Sequence, residues 1–140
     1  MKDSVTQESD YGCGIACFAF ATDLTFARAA QCLGKTGATH EGVPLRHMVA
    51  VLNDYGLSVT RNYVKSHLLG RIKEEGTIIL TKRSTDYPVG HYLVRHNNAW
   101  MDPWINMLED RRVEYARSGF RTELPGEPMY AIFPVEDGQP

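Results

Sequence analysis

The stretch QESDYGCGIAC, residues 7–17, places Gln7 six positions before Cys13, sets that cysteine between Gly12 and Gly14, and runs on into apolar residues. Continuing outward, CGIACFAFATDLTFARAAQCLG is rich in Ala, Phe and Leu and closes on Gly34, which stops a helix because glycine adopts the left-handed conformation without strain. The reading is a buried helix from about Cys13 and a second from about Thr25. TGATHEG is a turn-rich link, and VPLRHMVAVLNDYG then repeats apolar residues at Leu45, Met48, Val49 and Leu52, which is helical spacing. Pro44 suits the first turn of that third helix and Gly56 its end.

Beyond Gly56 the pattern changes. LSVTRNYV and TIILTKR are short and β-branched and read as strands, while KSHLLGRIKEEG between them reads as a short helix weakened by Gly70. GHYLVRH and AWMDPW flank Asn97-Asn98, a dipeptide that tolerates the positive φ angles of a tight hairpin. EPMYAIFPV reads as a closing strand and EDGQP as a frayed tail. Helices first and a mainly antiparallel sheet second make the class α+β, with the N-terminal helices packed on the sheet. At 140 residues, 43% of them hydrophobic and 23% charged, the expectation is a single domain spanning residues 1–140.

Composition narrows the function. A net charge of −2 and a pI near 6.2 speak against a nucleic-acid partner, since phosphate binders gather an excess of basic residues. GIACFAFA is less than half the length of a membrane span, and MKDSVTQES lacks the apolar core of a signal peptide, so the expected setting is cytoplasmic, without a membrane span. Three cysteines without an export signal do not suggest a disulfide framework, and at least one thiol must be free. No second Cys/His pair stands at zinc-like spacing, so neither metal nor cofactor is expected.

The chemistry suggested by residues 7–17 is nucleophilic. A helix N-terminus stabilises a thiolate through its unpaired N–H groups, and Cys13 is placed to receive that field. Gly12 and Gly14 allow a sharp turn and the close approach of a substrate backbone. The oxyanion formed by thiolate attack needs donors, which the N–H of Cys13 and the side-chain amide of Gln7 could supply. A base and its orienter come from the hairpin. With Asn97-Asn98 as a two-residue turn, His96 pairs with Ala99, Leu93 with Asp102 and His91 with Trp104, so His91 and Asp102 are diagonal neighbours on one face and His96 falls on the other. Tyr11, Tyr92, Trp100 and Trp104 offer apolar and aromatic surface for a substrate groove beside Gly14.

Gln7, Cys13-Gly14 opening an Ala-rich helix with Cys17 one turn on, and Gly90-His91-Tyr92-x-Val94 followed by Asp102-Pro103 together resemble the bacteriocin-processing peptidases. These are papain-like cysteine peptidases that cut leader peptides after a Gly-Gly pair, usually as the N-terminal domain of an ABC transporter. The resemblance covers most of the chain in order. It implies a papain-like fold and a thiol protease whose catalytic residues are Cys13 as nucleophile, His91 as general base, Asp102 as its orienter and Gln7 as oxyanion donor. Two departures stand out: Gly12 occupies the place where the family commonly has an acidic residue, with Asp10 further upstream, and the hairpin from His91 to Asp102 is shorter than usual.

The bland readings are a core role for Cys17, a structural role for Cys32, core packing for Trp100 and Trp104, a solvated face for Arg111-Arg112, and surface or core-edge positions for His40, His47, His67 and His96. The leading function is a cysteine peptidase acting on a specific peptide or protein through a thioester. The alternatives are a deamidase or isopeptidase effector using the same three residues, a non-catalytic peptide-binding module of the same fold, and a small interaction protein. The oligomeric state is not legible.

Overall fold

The computed structural model describes residues 2–34 and 42–135. Residues 35–41 and the tail 136–140 lie outside it, and with them His40 and most of the expected link. The first helix, α1 (Cys13–Thr22), is buried at every position from Cys13 to Phe20. A helix apolar all round must sit inside the protein. Accordingly α1 packs against both other helices and the sheet. The second, α2 (Phe26–Leu33), starts where the Thr25 hydroxyl accepts from the Arg28 N–H and stops at Gly34, φ 67°. The third, α3 (Leu45–Tyr55), follows Pro44 and ends at Gly56, φ 106°. No single helix among the described residues is long and apolar enough to cross a membrane.

Six strands form one sheet: β1 (Val59–Tyr63), β2 (Ile78–Thr81), β3 (Tyr92–His96), β4 (Ala99–Asp102), β5 (Gly119–Arg121) and β6 (Pro128–Pro134), in the order β1-β6-β2-β3-β4-β5. Every neighbouring pair is antiparallel. The class is α+β, as the order of sequence patterns implies. Between β1 and β2 the expected short helix is two 3-10 turns, Ser66–Leu68 and Arg71–Lys73, separated around Gly70. Strand β5 was not anticipated.

Alternation in the central strands divides the core. Ile78, Tyr92, Val94, Met101 and Ile132 face the helices, where they join Ile15, Phe18, Phe20, Met48 and Leu52. Ile79, Leu93, Trp100, Ala131 and Phe133 form a second cluster that includes Ile72 from the 3-10 segment and has Val64, Leu68 and Leu124 packed against it. Each large apolar side chain buried here contributes about 1.5–3 kcal/mol relative to exposure. The helix-side cluster fixes α1 against β3, and this brings Cys13 to the strand that follows His91.

Candidate active site

The first turn of α1 is shaped by glycines. The Gly12 N–H donates to the Ser9 carbonyl at 3.0 Å, and a Cβ on Gly12 would stand 2.6 Å from Ser9 Oγ and 2.9 Å from Phe26 Cζ. A Cβ on Gly14 would stand 3.1 Å from both Tyr92 and Val43. The turn and the seating of α1 therefore use the missing side chains. The first intrahelical bond runs from the Ala16 N–H to the Gly12 carbonyl at 3.0 Å, so the N–H groups of residues 13–15 precede the ladder and have no acceptor within the helix. Cys13 sits there, 8% exposed.

The β3–β4 hairpin brings the other groups. Asn97 (φ 53°) and Asn98 (φ 66°) form a two-residue turn with both centres left-handed, and His96 pairs with Ala99. This is the register read from the sequence, and it joins His91 to Asp102. The His91 Nε2–H donates to Asp102 Oδ1 at 2.7 Å, with the two side chains 3% and 0% exposed. Asp102 Oδ1 also accepts from the Trp104 N–H at 3.0 Å, and Oδ2 accepts from Arg121 Nη1 at 3.0 Å. Just before β3, Gly90 takes φ 79°, and a Cβ there would lie 2.7 Å from the Thr81 carbonyl. The resulting bend sets His91 at the strand end, where it lines the same cleft as Cys13 and interacts with it. With Nε2 on Asp102, Nδ1 is the nitrogen left for the sulfur. Tyr87 stacks on the imidazole at 4.6 Å and 22°.

These contacts set the charges. Burial pulls the His91 pKa down, but the interactions with Asp102 first and with Cys13 outweigh it and raise it to about 9. Burial likewise pushes Asp102 up, and the bond to His91, its positive charge, the Trp104 N–H and Arg121 together hold it below the usual carboxylate value. Cys17, one turn further into α1, is fully buried. Desolvation first, then Cys13 and Asp102, raise its pKa and keep it a thiol.

A cleft of about 260 Å³ opens on Cys13 and His91, and its walls include Gln7, Tyr11, Tyr87, Trp104, Met107 and Arg111. Tyr11 and Trp104 thus stand where the groove was expected. Gly14 and Tyr92 do not line it: Gly14 is packed under Tyr92 and Val43, and Tyr92 is buried with its hydroxyl donating to the Val43 carbonyl at 2.8 Å. Tyr92 borders a separate cavity of about 510 Å³ instead. Trp100 belongs to the second core cluster. Cys32 is exposed, because the buried stripe of α2 falls on Ala29 and Leu33. Arg111 lines the cleft and donates to the Asp86 carbonyl at 2.8 Å.

Gln7 is 2% exposed, and its backbone N–H donates to the Pro103 carbonyl at 3.2 Å. Its Nε2 protons go to the carbonyls of Ser9 at 3.0 Å and Asp10 at 3.2 Å, while buried Oε1 has no partner among the described residues. Both neighbours on the Nε2 side are acceptors, which fixes the amide orientation. The donor expected for an oxyanion is therefore engaged within its own loop. Two residues that touch the histidine–aspartate pair, Arg121 and Tyr87, were not anticipated. Neither stands in a motif: Arg121 is the last residue of a three-residue strand, and Tyr87 lies in the irregular segment before Gly90.

No family model matches the sequence, and no curated protein matches it. Solved structures do match the fold. The peptidase domain of Streptococcus ComA, a bi-functional ABC transporter involved in a quorum-sensing pathway, superposes with a TM-score of 0.59 at 17% identity, covering 92% of this chain and 94% of that domain. A double-glycine-motif protease from an AMS/PCAT transporter, in complex with its leader peptide, superposes with a TM-score of 0.58 at 14% identity, covering 95% and 91%. The fold of this chain is that of the bacteriocin-processing, papain-like peptidase domains.

Proposed function

We propose that the chain is a cysteine peptidase that cleaves a specific peptide or protein through a thioester, with Cys13 as nucleophile, His91 as general base and acid, and Asp102 as the group that orients and charges the imidazole. The observation that carries this reading is the buried 2.7 Å bond from His91 to Asp102, on a ring that lines the same cleft as Cys13 at the start of α1. A histidine with a pKa of about 9 is an imidazolium near neutrality, so it holds the proton that a leaving amine needs.

In the reaction, the Cys13 sulfur attacks the substrate carbonyl carbon and the carbonyl electron pair moves to oxygen. The Cys13 N–H donates to that oxyanion, and Gln7 adds a second donor once its longer bond, to Asp10, is released. Collapse breaks the C–N bond as the imidazolium proton passes to the leaving amine. Water then attacks the thioester, giving a proton to His91 and releasing the acid and the thiolate. Residues 1–140 acting as one domain, a cytoplasmic setting in which free thiols persist, and recognition through the cleft's own aromatic wall belong to the same proposal.

The double-glycine motif and leader peptide attached to one structural neighbour make Gly-Gly leader peptides the first substrates to test. Incubation with a panel of such peptides and with casein, followed by mass spectrometry, should show scission of particular peptides, little digestion of casein and no scission by Cys13→Ala. Full hydrolysis by Cys13→Ala would overturn the mechanism. A mass gain at glutamine without chain scission would redirect the reading to deamidation.

A further inference from the structure

Asp102 has a third partner that the three proposed catalytic residues leave unused. Arg121 lies opposite Trp100 in the β4–β5 register, diagonal to Asp102 on the same face of the sheet. That separation is too long for most side chains and within reach of an arginine. Its Nη1 donates to Asp102 Oδ2 at 3.0 Å, on a carboxylate that is fully buried, whereas the Arg121 side chain is 30% exposed. Its Nε donates to the Glu123 carbonyl at 2.9 Å. The guanidinium is therefore held by two partners, with its charge directed at the oxygen that His91 does not use.

We propose that Arg121 is a positioning residue for the His91–Asp102 pair: it holds Oδ2 and draws off part of the carboxylate's charge, which sets the pH at which His91 gives up its proton. The inference rests on the peptidase reading for its purpose but not for its test. The groups that face the imidazole are Cys13 from α1, Tyr87 with Asp86 behind it from the segment before β3, Asp102 from β4 and, through Asp102, Arg121 from β5. Asp10 and Arg111 add one charge of each sign to the walls of the same cleft. Arg121 is the only cation among the described residues bonded to the Asp102 carboxylate besides His91 itself. An unneutralised carboxylate attracts the imidazolium more strongly, so losing Arg121 raises the pH at which His91 deprotonates. Asp102 stays seated, because the His91 Nε2–H and the Trp104 N–H still bind Oδ1.

The experiment is an NMR titration of the His91 imidazole in the full chain, for wild type, Arg121→Gln and Arg121→Lys. Arg121→Gln should move the His91 midpoint upward by roughly half to one pH unit, and Arg121→Lys, which keeps the charge and the fold, should stay close to wild type. A midpoint in Arg121→Gln that stays in place or falls overturns the proposal. So does a rise of the same size in Arg121→Lys, which remains informative if the glutamine variant does not fold. The two readings fail separately. Absence of Cys13-dependent cleavage removes the peptidase and leaves the titration to be judged, while an unmoved midpoint beside intact cleavage removes only Arg121's role.

Discussion

The β3–β4 hairpin carries a histidine–carboxylate pair at each end, with the same 2.7 Å separation: His91 with Asp102 near the cleft and His96 with Glu75 at the turn. Distance does not distinguish them; surroundings do. Asp102 is fully buried with two further donors on it, whereas the Glu75 side chain is 63% exposed and accepts from His96 and the Asn97 N–H. His91 shares its cleft with Cys13, whereas the remaining nitrogen of His96 accepts from the Lys2 N–H at 3.3 Å. His96 joins an N-terminal arm and Phe20 to the sheet, which is structural work. On the proposed reading, a histidine–carboxylate pair serves chemistry when it is dry and shares a cleft with a nucleophile, and serves structure when it is exposed.

The largest effect that could break this comparison is on catalysis. His91→Asn should lower Cys13-dependent hydrolysis by about a thousandfold or more, and His96→Asn should leave kcat unchanged, as measured on any peptide the wild type cuts. Equal losses in the two variants would erase the distinction between the ends.

How far the sequence revealed this site depends on which contacts are local. Asn97-Asn98 tolerates positive φ, so the turn and its register were legible, and with them the meeting of His91 and Asp102. Gly34, Pro44 and Gly56 marked helix boundaries through local backbone preference as well: the glycines accept positive φ, and proline locks φ at about −60°. What was not legible depended on distant partners. The three residues of β5 carry no periodicity, so Arg121 and its bond to Asp102 were invisible until pairing with β4 defined them. Gly14 and Tyr92 look available beside a nucleophile, but Val43, nearly thirty positions after Gly14, covers both. The commitment of the Gln7 amide to Ser9 and Asp10 reflects the folded shape of that loop, which residue types alone do not specify.

Gln7 gives the next effect in size. If the Asp10 bond is exchanged for the oxyanion, Gln7→Ala should reduce kcat by about a hundredfold or more with KM little changed. A rise in KM alone would assign Gln7 to the loop rather than to the transition state.

Stability offers a gentler test of the two ends. Removing the buried carboxylate's charge in Asp102→Asn should cost about 3 kcal/mol, against at most about 0.5 kcal/mol for Glu75→Gln at its exposed site. The pH dependence follows from the signs. His91 is raised from 6.5 to about 9, so its contribution is complete below about pH 6.5 and fades as pH climbs to about 9. Asp102 is lowered from 3.8, so its contribution is present above about pH 3.8 and disappears as acid protonates the folded state. Denaturant melts should show the gap between wild type and Asp102→Asn widest between these limits and narrower at pH 9. A gap independent of pH would mean that the pair is not ionised. Smallest of all, Asn98→Ala, at φ 66°, should cost about 1 kcal/mol by straining the turn.

The central claim is that Cys13 is activated by His91, and the most direct measurement is competitive labelling by iodoacetamide at mildly acidic pH with each cysteine mapped by mass spectrometry. Access alone favours Cys32, which is exposed, over Cys13, which is 8% exposed, and over the fully buried Cys17. The account predicts the reverse order for the first two: Cys13 labels fastest in wild type and in His96→Asn, and falls below Cys32 in His91→Asn. Labelling that follows exposure in the wild type, or a Cys13 rate that His91→Asn leaves untouched, would contradict it.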